Sequence, residues 1–180
     1  MTLNNEITIS DITSIISVIL IMIGGIFSCY QWRKDVILKR AGYINEMIEK
    51  IRTDKYIKDV VYMFDYDDKW YSERFHGSGK LELKVDKTLS YFSYICYLKR
   101  KRIISKAEFD FFKYEIHRIL ENDQVQDYLY NVYHFSNKND THMTFIYLFE
   151  YGEQIGIFNK QFYDKNAYSK CNGYHKYLNF

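Results

Sequence analysis

The chain has 180 residues, and its 25 Lys and Arg against 23 Asp and Glu leave a formal net charge of only +2, which indicates no particular class of partner. Hydrophobic residues make up 47% and aromatic residues 19% of the sequence, which is enough to bury a core and excludes a chain that is disordered throughout. There are only eight glycines and no proline, and because turn-rich β folds usually place these residues at their corners, the sequence predicts an all-α fold.

The first predicted element is a run of 21 uncharged residues, 12–32, that reads ITSIISVILIMIGGIFSCYQW. A helix of this length spans about 30 Å, the hydrocarbon thickness of a bilayer. Tyr30 and Trp32 lie where an aromatic belt would be, and only Glu6 and Asp11 carry charge before the run. By the positive-inside rule, we expect a single-pass protein of the bacterial inner membrane, with its N-terminus outside and its C-terminal domain in the cytoplasm. The basic residues that follow the run are Arg33, Lys34, Lys39 and Arg40.

Three other interpretations of this run are a cleaved signal peptide, a lipoprotein signal ending at Cys29, and a buried core helix of a soluble protein. A signal peptide requires a basic segment before the apolar core, and a shorter core than this one. The bulky Phe27 and the same lack of N-terminal positive charge disfavour the lipoprotein signal. We therefore expect an uncleaved anchor.

Small or polar residues recur on one face of the run at spacings of three and four residues. In a membrane, small side chains let helices approach closely and hydroxyl groups can bond across them, so this face is predicted to bind further copies of the chain. In a ring of copies, the same face would line a pore. Small residues are also common in membrane helices that do not associate. The predicted face, called the seam below, consists of Ser14, Ser17, Ile21, Gly24, Ser28 and Gln31.

No proline interrupts the helical pattern after Trp32, which predicts one helix over about 9–52 that would break, if anywhere, at Gly42. We place a membrane helix and stalk in residues 1–52 and a cytosolic helical domain in residues 53–180. In this domain, Ser105-x-x-Glu108 is a capping box that predicts a helix to about residue 120. Asp54, Asp123 and Thr141 are predicted to cap three further helices, and the pattern predicts another helix over Leu81–Arg102. We expect a polar loop over 137–141, and the last of these helices ends near residue 152.

Motifs for chemistry are scarce. Cys29, Cys96 and Cys171 are far apart and are predicted to be free thiols. Gly77-Ser78-Gly79-Lys80 lacks the spacing of a phosphate-binding loop, and the five histidines do not form a zinc pattern. We therefore predict no enzymatic activity, no cofactor, no metal and no evident small-molecule substrate. Residues 70–76, WYSERFH, combine aromatic and charged residues, and they either hold a ligand or a partner segment or form a packed corner of the bundle.

An RNA-directed function would need a basic surface or an Arg/His pair. A ribonuclease of the HEPN class holds an Arg and a His on one helical turn, where the Arg stabilises phosphate and the His moves a proton. No Arg and His have that spacing here, so only a degenerate site is predicted, although His134 can equally pack in the core. The basic run would contact RNA or anionic headgroups, or complement a helix C-terminus. The basic run is Lys99, Arg100, Lys101 and Arg102, and the degenerate-site candidates are His117, Arg118, Asn131 and His134.

An N-terminal membrane helix over 12–32, joined to an aromatic-rich helical bundle over 54 to about 152, resembles the membrane accessory proteins of type VI-B CRISPR systems. The resemblance is one of architecture along the whole chain and includes no motif. It implies a bundle that is HEPN-like at best and an antiviral, CRISPR-associated effector. Such an effector would homo-oligomerise in the membrane, form a pore and depolarise the inner membrane during phage infection. Its implied partners are the membrane, further copies of itself, and an RNA-guided RNA nuclease or the RNA of that nuclease. Because the Arg/His motif is not at its regular spacing, no catalytic residue is carried over. The alternative is a membrane-anchored RNA-binding or RNA-processing module of HEPN type.

Overall fold

The computed structural model describes residues 9–66, 69–72, 75–76 and 79–164. The chain divides into two compact units, Met1–Glu46 and Met47–Phe180, which we call unit 1 and unit 2. All regular structure in the described ranges is helical, so the prediction of an all-α protein is confirmed. The division lies a few residues before the boundary expected between residues 52 and 53.

Unit 1 contains most of helix α1, Ile9–Thr53, whose 45 residues continue through Gly42 without the break that glycine would permit. Every residue from 12 to 32 is exposed; Ile21, for example, is 73% exposed and Ile26 is 72% exposed. The described residues of the chain therefore do not bury this helix, which disfavours the alternative of a core helix. By length and composition, α1 is the one helix among the described residues that can cross a membrane.

Unit 2 is a bundle of shorter helices around an aromatic core. Helix α3 packs against α2, α4 and α6, while α5 packs against α4 and α7. Phe92 and Phe112 are completely buried, and Phe109 and Tyr130 nearly so, which places the core where these helices meet. The helices of unit 2 after α1 are α2 (Lys55–Tyr66), α3 (Lys80–Arg100), α4 (Lys106–Glu121), α5 (Asp123–Asn139), α6 (Ile146–Gln154) and α7 (Lys160–Tyr163).

Local caps explain several helix starts. Asp54 caps α2 by accepting from the backbone N–H of Tyr56 at 2.9 Å, as predicted. The predicted capping box of α4 is confirmed, because Ser105 accepts from the Glu108 N–H and the Glu108 carboxylate accepts from the Ser105 N–H. The cap of α5 is Asn122 and not Asp123. Its amide oxygen accepts from a backbone N–H of the first turn, and its amide nitrogen donates to the Phe64 carbonyl of α2 at 2.7 Å.

Three predicted ends are wrong. Helix α3 stops at Arg100, because Arg102 takes a positive φ of 56° just beyond it. Helix α5 extends to Asn139, into the predicted loop, and ends on Asp140 in the left-handed conformation. Thr141 does not cap α6, because α6 begins only after the buried Phe145. The Thr141 N–H instead bonds back to the Ser136 carbonyl of α5 at 3.0 Å.

Candidate functional site

Unit 2 contains a pocket of about 350 Å³ between the first half of α3, the middle of α5 and the connection from α5 to α6. Glu82 and Asp86 lie one helical turn apart on α3 and form one wall. Tyr128 of α5 and Phe145 supply aromatic rings, with centroids 6.4 Å apart. His76, which precedes α3, also lines the pocket. We call this cavity the acidic pocket.

The position of His76 is determined by bonds to both of its ring nitrogens. Its Nε2 lies 2.9 Å from the Tyr71 hydroxyl, and its Nδ1 lies 3.1 Å from a Glu82 carboxylate oxygen. The amide of Asn131 donates to the same Tyr71 hydroxyl at 2.7 Å. A neutral His76 can accept the Tyr71 proton at Nε2 and donate from Nδ1 to Glu82. This chain connects α5, through a tyrosine that is only 4% exposed, to the carboxylate wall.

Asp86 accepts a hydrogen bond from the Tyr128 hydroxyl. Burial raises the pKa of the Asp86 carboxyl above its ordinary value; the Tyr128 bond opposes this shift and the charge of Glu82 adds to it. Burial, together with the charge of Asp86, also raises the pKa of Tyr128, so that the phenol remains a proton donor. The wall therefore combines two like charges in a partly desolvated position, which is a costly arrangement.

The side chains that line the acidic pocket suit the binding of a ligand. Among the described residues, no group of three or more His, Cys, Asp or Glu side chains could hold a metal ion. His76 could relay a proton between Glu82 and Tyr71, but the Tyr71 end of that relay is buried away from a substrate. Carboxylates on one wall and aromatic rings on another leave a space that suits a positively charged group.

Sequence reasoning singled out only one side of this pocket. Segment 70–76 was expected either to hold a ligand or a partner segment or to form a packed corner. Trp70, Tyr71 and Phe75 are buried in the bundle, whereas His76 lines the pocket. Glu73 and Arg74 of that segment, like Cys171, lie outside the described residues. Glu82, Asp86 and Tyr128 were missed; the only signal for them is the pair of carboxylates one turn apart on α3.

The seam lies on the exposed surface of α1. All six of its residues are exposed, and a Cβ added at Gly24 would meet nothing within 4 Å. The Ser17 hydroxyl donates to the Thr13 carbonyl of its own helix at 2.9 Å, so it is satisfied before any partner arrives. The seam residues are thus accessible to a second copy, and their role in association stays a prediction.

The basic run is divided between internal contacts and the surface. The Lys99 ammonium lies over the Phe109 and Tyr151 rings, 4.5 and 4.1 Å from their centroids, and burial lowers its pKa. Arg100 pairs with Glu150. Lys101 and Arg102 are exposed beyond the end of α3, so the predicted contact with RNA or headgroups depends on these two residues.

The degenerate-site candidates bind four different parts of unit 2. His117 bonds through Nε2 to the Tyr151 hydroxyl of α6 at 2.9 Å. Arg118 pairs with Asp65 of α2 and with its own neighbour Glu115. Asn131 is fully buried and binds Tyr71, whereas His134 is buried and bonds through Nε2 to the Phe162 carbonyl of α7. Each of these side chains thus has a structural role.

Comparison of the chain with protein-family models, with curated protein sequences and with solved structures finds no match.

Proposed function

We propose that this chain is a single-pass membrane effector that acts through self-association of α1 and has no enzymatic activity. The observation that carries the proposal is the exposure of every residue from 12 to 32 on a helix without a charged residue in that range. Soluble monomers rarely expose contiguous apolar patches larger than a few hundred Å². A bilayer covers such a surface, and an α-helix satisfies its own backbone groups there.

The seam supports the second step, from anchor to oligomer. Lipid already covers apolar side chains, so helices associate in a membrane where backbones approach closely. Gly24 offers such an approach, because the space around its Cα is open in the monomer. Copies that meet along the seam would turn Ser14, Ser28 and Gln31 toward one another. In a ring, this face would line a pore that depolarises the inner membrane during phage infection, with the C-terminal domain in the cytoplasm behind Arg33 and Lys34.

The RNA-processing alternative receives less support. It needs an arginine and a histidine that act on one phosphate, but His117 and Arg118 contact different helices of the bundle. We therefore keep it as an outcome of the experiment and not as a second proposal.

The test compares two triple variants of the full chain that each introduce three leucines into α1. The seam variant is Ser17→Leu, Gly24→Leu and Ser28→Leu. The matched control is Ile19→Leu, Met22→Leu and Ile26→Leu, which lies on the opposite face at about 100° per residue. Both variants should stay in the membrane fraction, because leucine favours insertion. We expect a detergent-solubilised oligomer for wild type and control, and a monomer for the seam variant.

The membrane potential of phage-challenged cells that carry the chain with its flanking genes gives the second readout. We expect depolarisation with wild type and control, and none with the seam variant. Recovery of the wild-type chain in the soluble fraction would overturn the proposal that α1 is a membrane anchor. If the seam variant still formed the oligomer, the proposal that copies associate along the seam would be wrong. Unchanged polarisation in cells that contain the oligomer would overturn the pore, and cleavage of labelled RNA by the purified chain would favour the alternative.

A further inference from the structure

The acidic pocket brings two carboxylates together on one helix, each with a partner inside the fold. Glu82 and Asp86 carry like charges at i and i+4 on α3, a spacing that destabilises a helix when both are ionised. Both side chains are partly buried, so water screens their repulsion less than it would at an open surface. None of the described residues that line the pocket is a lysine or an arginine; His76 and His142 are the basic side chains among them.

The remaining walls have the chemistry that recognises an organic cation. The Tyr128 ring centroid lies 6.0 Å from that of His76 and 6.4 Å from that of Phe145. Tyr128 and Phe145 are largely buried, whereas Phe135 is 41% exposed and lines the same cavity, so its ring is accessible to a ligand. Aromatic faces attract ammonium groups, and this attraction strengthens when water is excluded. A volume of about 350 Å³ falls in the range of small-molecule sites.

We propose that the acidic pocket binds a small organic ammonium ion, with Asp86 and Glu82 as its counter-charges and the exposed Phe135 ring against its alkyl groups, in a cavity that Tyr128 and Phe145 also line. The ligand would offset the repulsion between the two carboxylates, which His76 offsets only when it is protonated. Because all of these residues lie in unit 2, the inference is independent of the membrane function proposed for unit 1.

Choline is a suitable probe, because 3,3-dimethylbutan-1-ol has nearly the same shape without the charge. Binding of both compounds to the purified full chain is measured by calorimetry, in a maltoside detergent and an amine-free buffer. We expect choline to bind at least tenfold more tightly than the neutral alcohol. Equal affinities would mean that the pocket recognises only apolar shape and would overturn the proposal, and so would the absence of choline binding.

Two isosteric variants locate the site. Asp86→Asn keeps an acceptor for Tyr128 but removes the charge, and we expect it to weaken choline binding at least tenfold. Asp110→Asn removes a charge from the exposed surface of α4 and should change the affinity less than twofold. If Asp86→Asn does not fold, as judged by circular dichroism, Glu82→Gln takes its place with the same expectation. Choline binding that survives loss of the carboxylate would rule out the pocket.

A further substitution tests the contribution of the Phe135 ring. Phe135→Leu keeps an apolar side chain but removes an accessible ring, and we expect choline binding to fall about threefold, from the loss of one exposed cation–π contact. Binding of the neutral alcohol should change less. An equal loss for both compounds would show that the ring contributes only apolar contact, contrary to the role proposed for it.

Discussion

Units 1 and 2 both contain many large apolar side chains, but they place them in opposite positions. In unit 1, Ile21 and Ile26 are more than 70% exposed, whereas in unit 2 Phe92 and Phe112 are completely buried. Burial of apolar surface is the main driving force of folding, so unit 2 carries its own source of stability. The apolar surface of unit 1 requires something outside the monomer to cover it. Under the function proposed above, a bilayer covers unit 1 and water surrounds unit 2, so we expect mutations in the two units to have separate effects.

The largest expected effect is the loss of a core aromatic in unit 2. Phe112→Ala should lower the free energy of unfolding of unit 2 by about 3–5 kcal/mol, because the cavity it leaves adds to the lost transfer energy. The neighbouring Phe111 is 67% exposed, so Phe111→Ala should change it by less than about 0.5 kcal/mol. The two substitutions remove the same side chain from adjacent positions.

Tryptophan fluorescence during denaturant unfolding measures this difference. The chain has two tryptophans, so a Trp32→Phe background leaves Trp70 as the reporter. Trp70 is buried in unit 2 beside Phe64 and Phe75, with ring centroids 5.1 and 5.3 Å away. Equal midpoints for the Phe111 and Phe112 variants would mean that Phe112 is not in a packed core. Unit 2 would then not differ from unit 1 in having a buried apolar core.

Sequence reasoning succeeded where local signals are sufficient. The absence of proline and the long apolar run predicted α1, and the capping box of Ser105 and Glu108 needs only contacts three residues apart. It failed at Thr141, because α6 begins where the buried Phe145 packs, and tertiary packing outweighs a local cap. Asn122 and Asp123 are both good caps, and the bond from Asn122 to α2 favours the first.

The acidic pocket was less predictable than the fold. Glu82 and Asp86 are visible as a pair on one helix face, but Tyr128 lies 42 residues beyond Asp86 in the chain. The bond between Asn131 and Tyr71 spans 60 residues. A single sequence contains no signal that joins residues so far apart, because the contacts that bring them together form only in the folded chain. The aromatic residues before α3 could be recognised in the sequence only as an aromatic-rich segment. The rings that they pack against, such as Phe64 and Tyr128, belong to α2 and α5.

A second pair of substitutions compares glycines in the two units. In unit 2, a Cβ on Gly152 would overlap the Phe158 ring, which is 2% exposed and stacks on Phe162. We expect Gly152→Ala to destabilise unit 2 by about 1–3 kcal/mol through overpacking. Gly25 of unit 1 has nothing within 4 Å, so Gly25→Ala should leave the Trp70 transition unchanged. A destabilising Gly25→Ala would show that unit 1 contributes to the stability of unit 2.

The smallest effect concerns a carboxylate in a desolvated position of unit 2. Burial raises the pKa of Asp127 to about 7, with a further contribution from the charge of Asp123, and one of its oxygens is buried without a hydrogen-bond partner. The folded state therefore binds a proton that the unfolded chain releases near pH 4. By linkage, this contribution to stability is fully present below about pH 4 and is lost as the pH rises through about 7.

Asp127→Asn should thus stabilise unit 2 most at pH 8, where the aspartate is charged in both the folded and the unfolded state, and much less at pH 5, where the folded carboxyl is still protonated. We expect a gain of about 1 kcal/mol at pH 8, well below the full shift because the carboxyl is partly open to solvent. Trp70 fluorescence unfolding at pH 5, 6.5 and 8 measures the gain, with the exposed Asp110→Asn as the control. A gain of the same size at all three values would mean that the amide improves packing and that Asp127 does not titrate in this range.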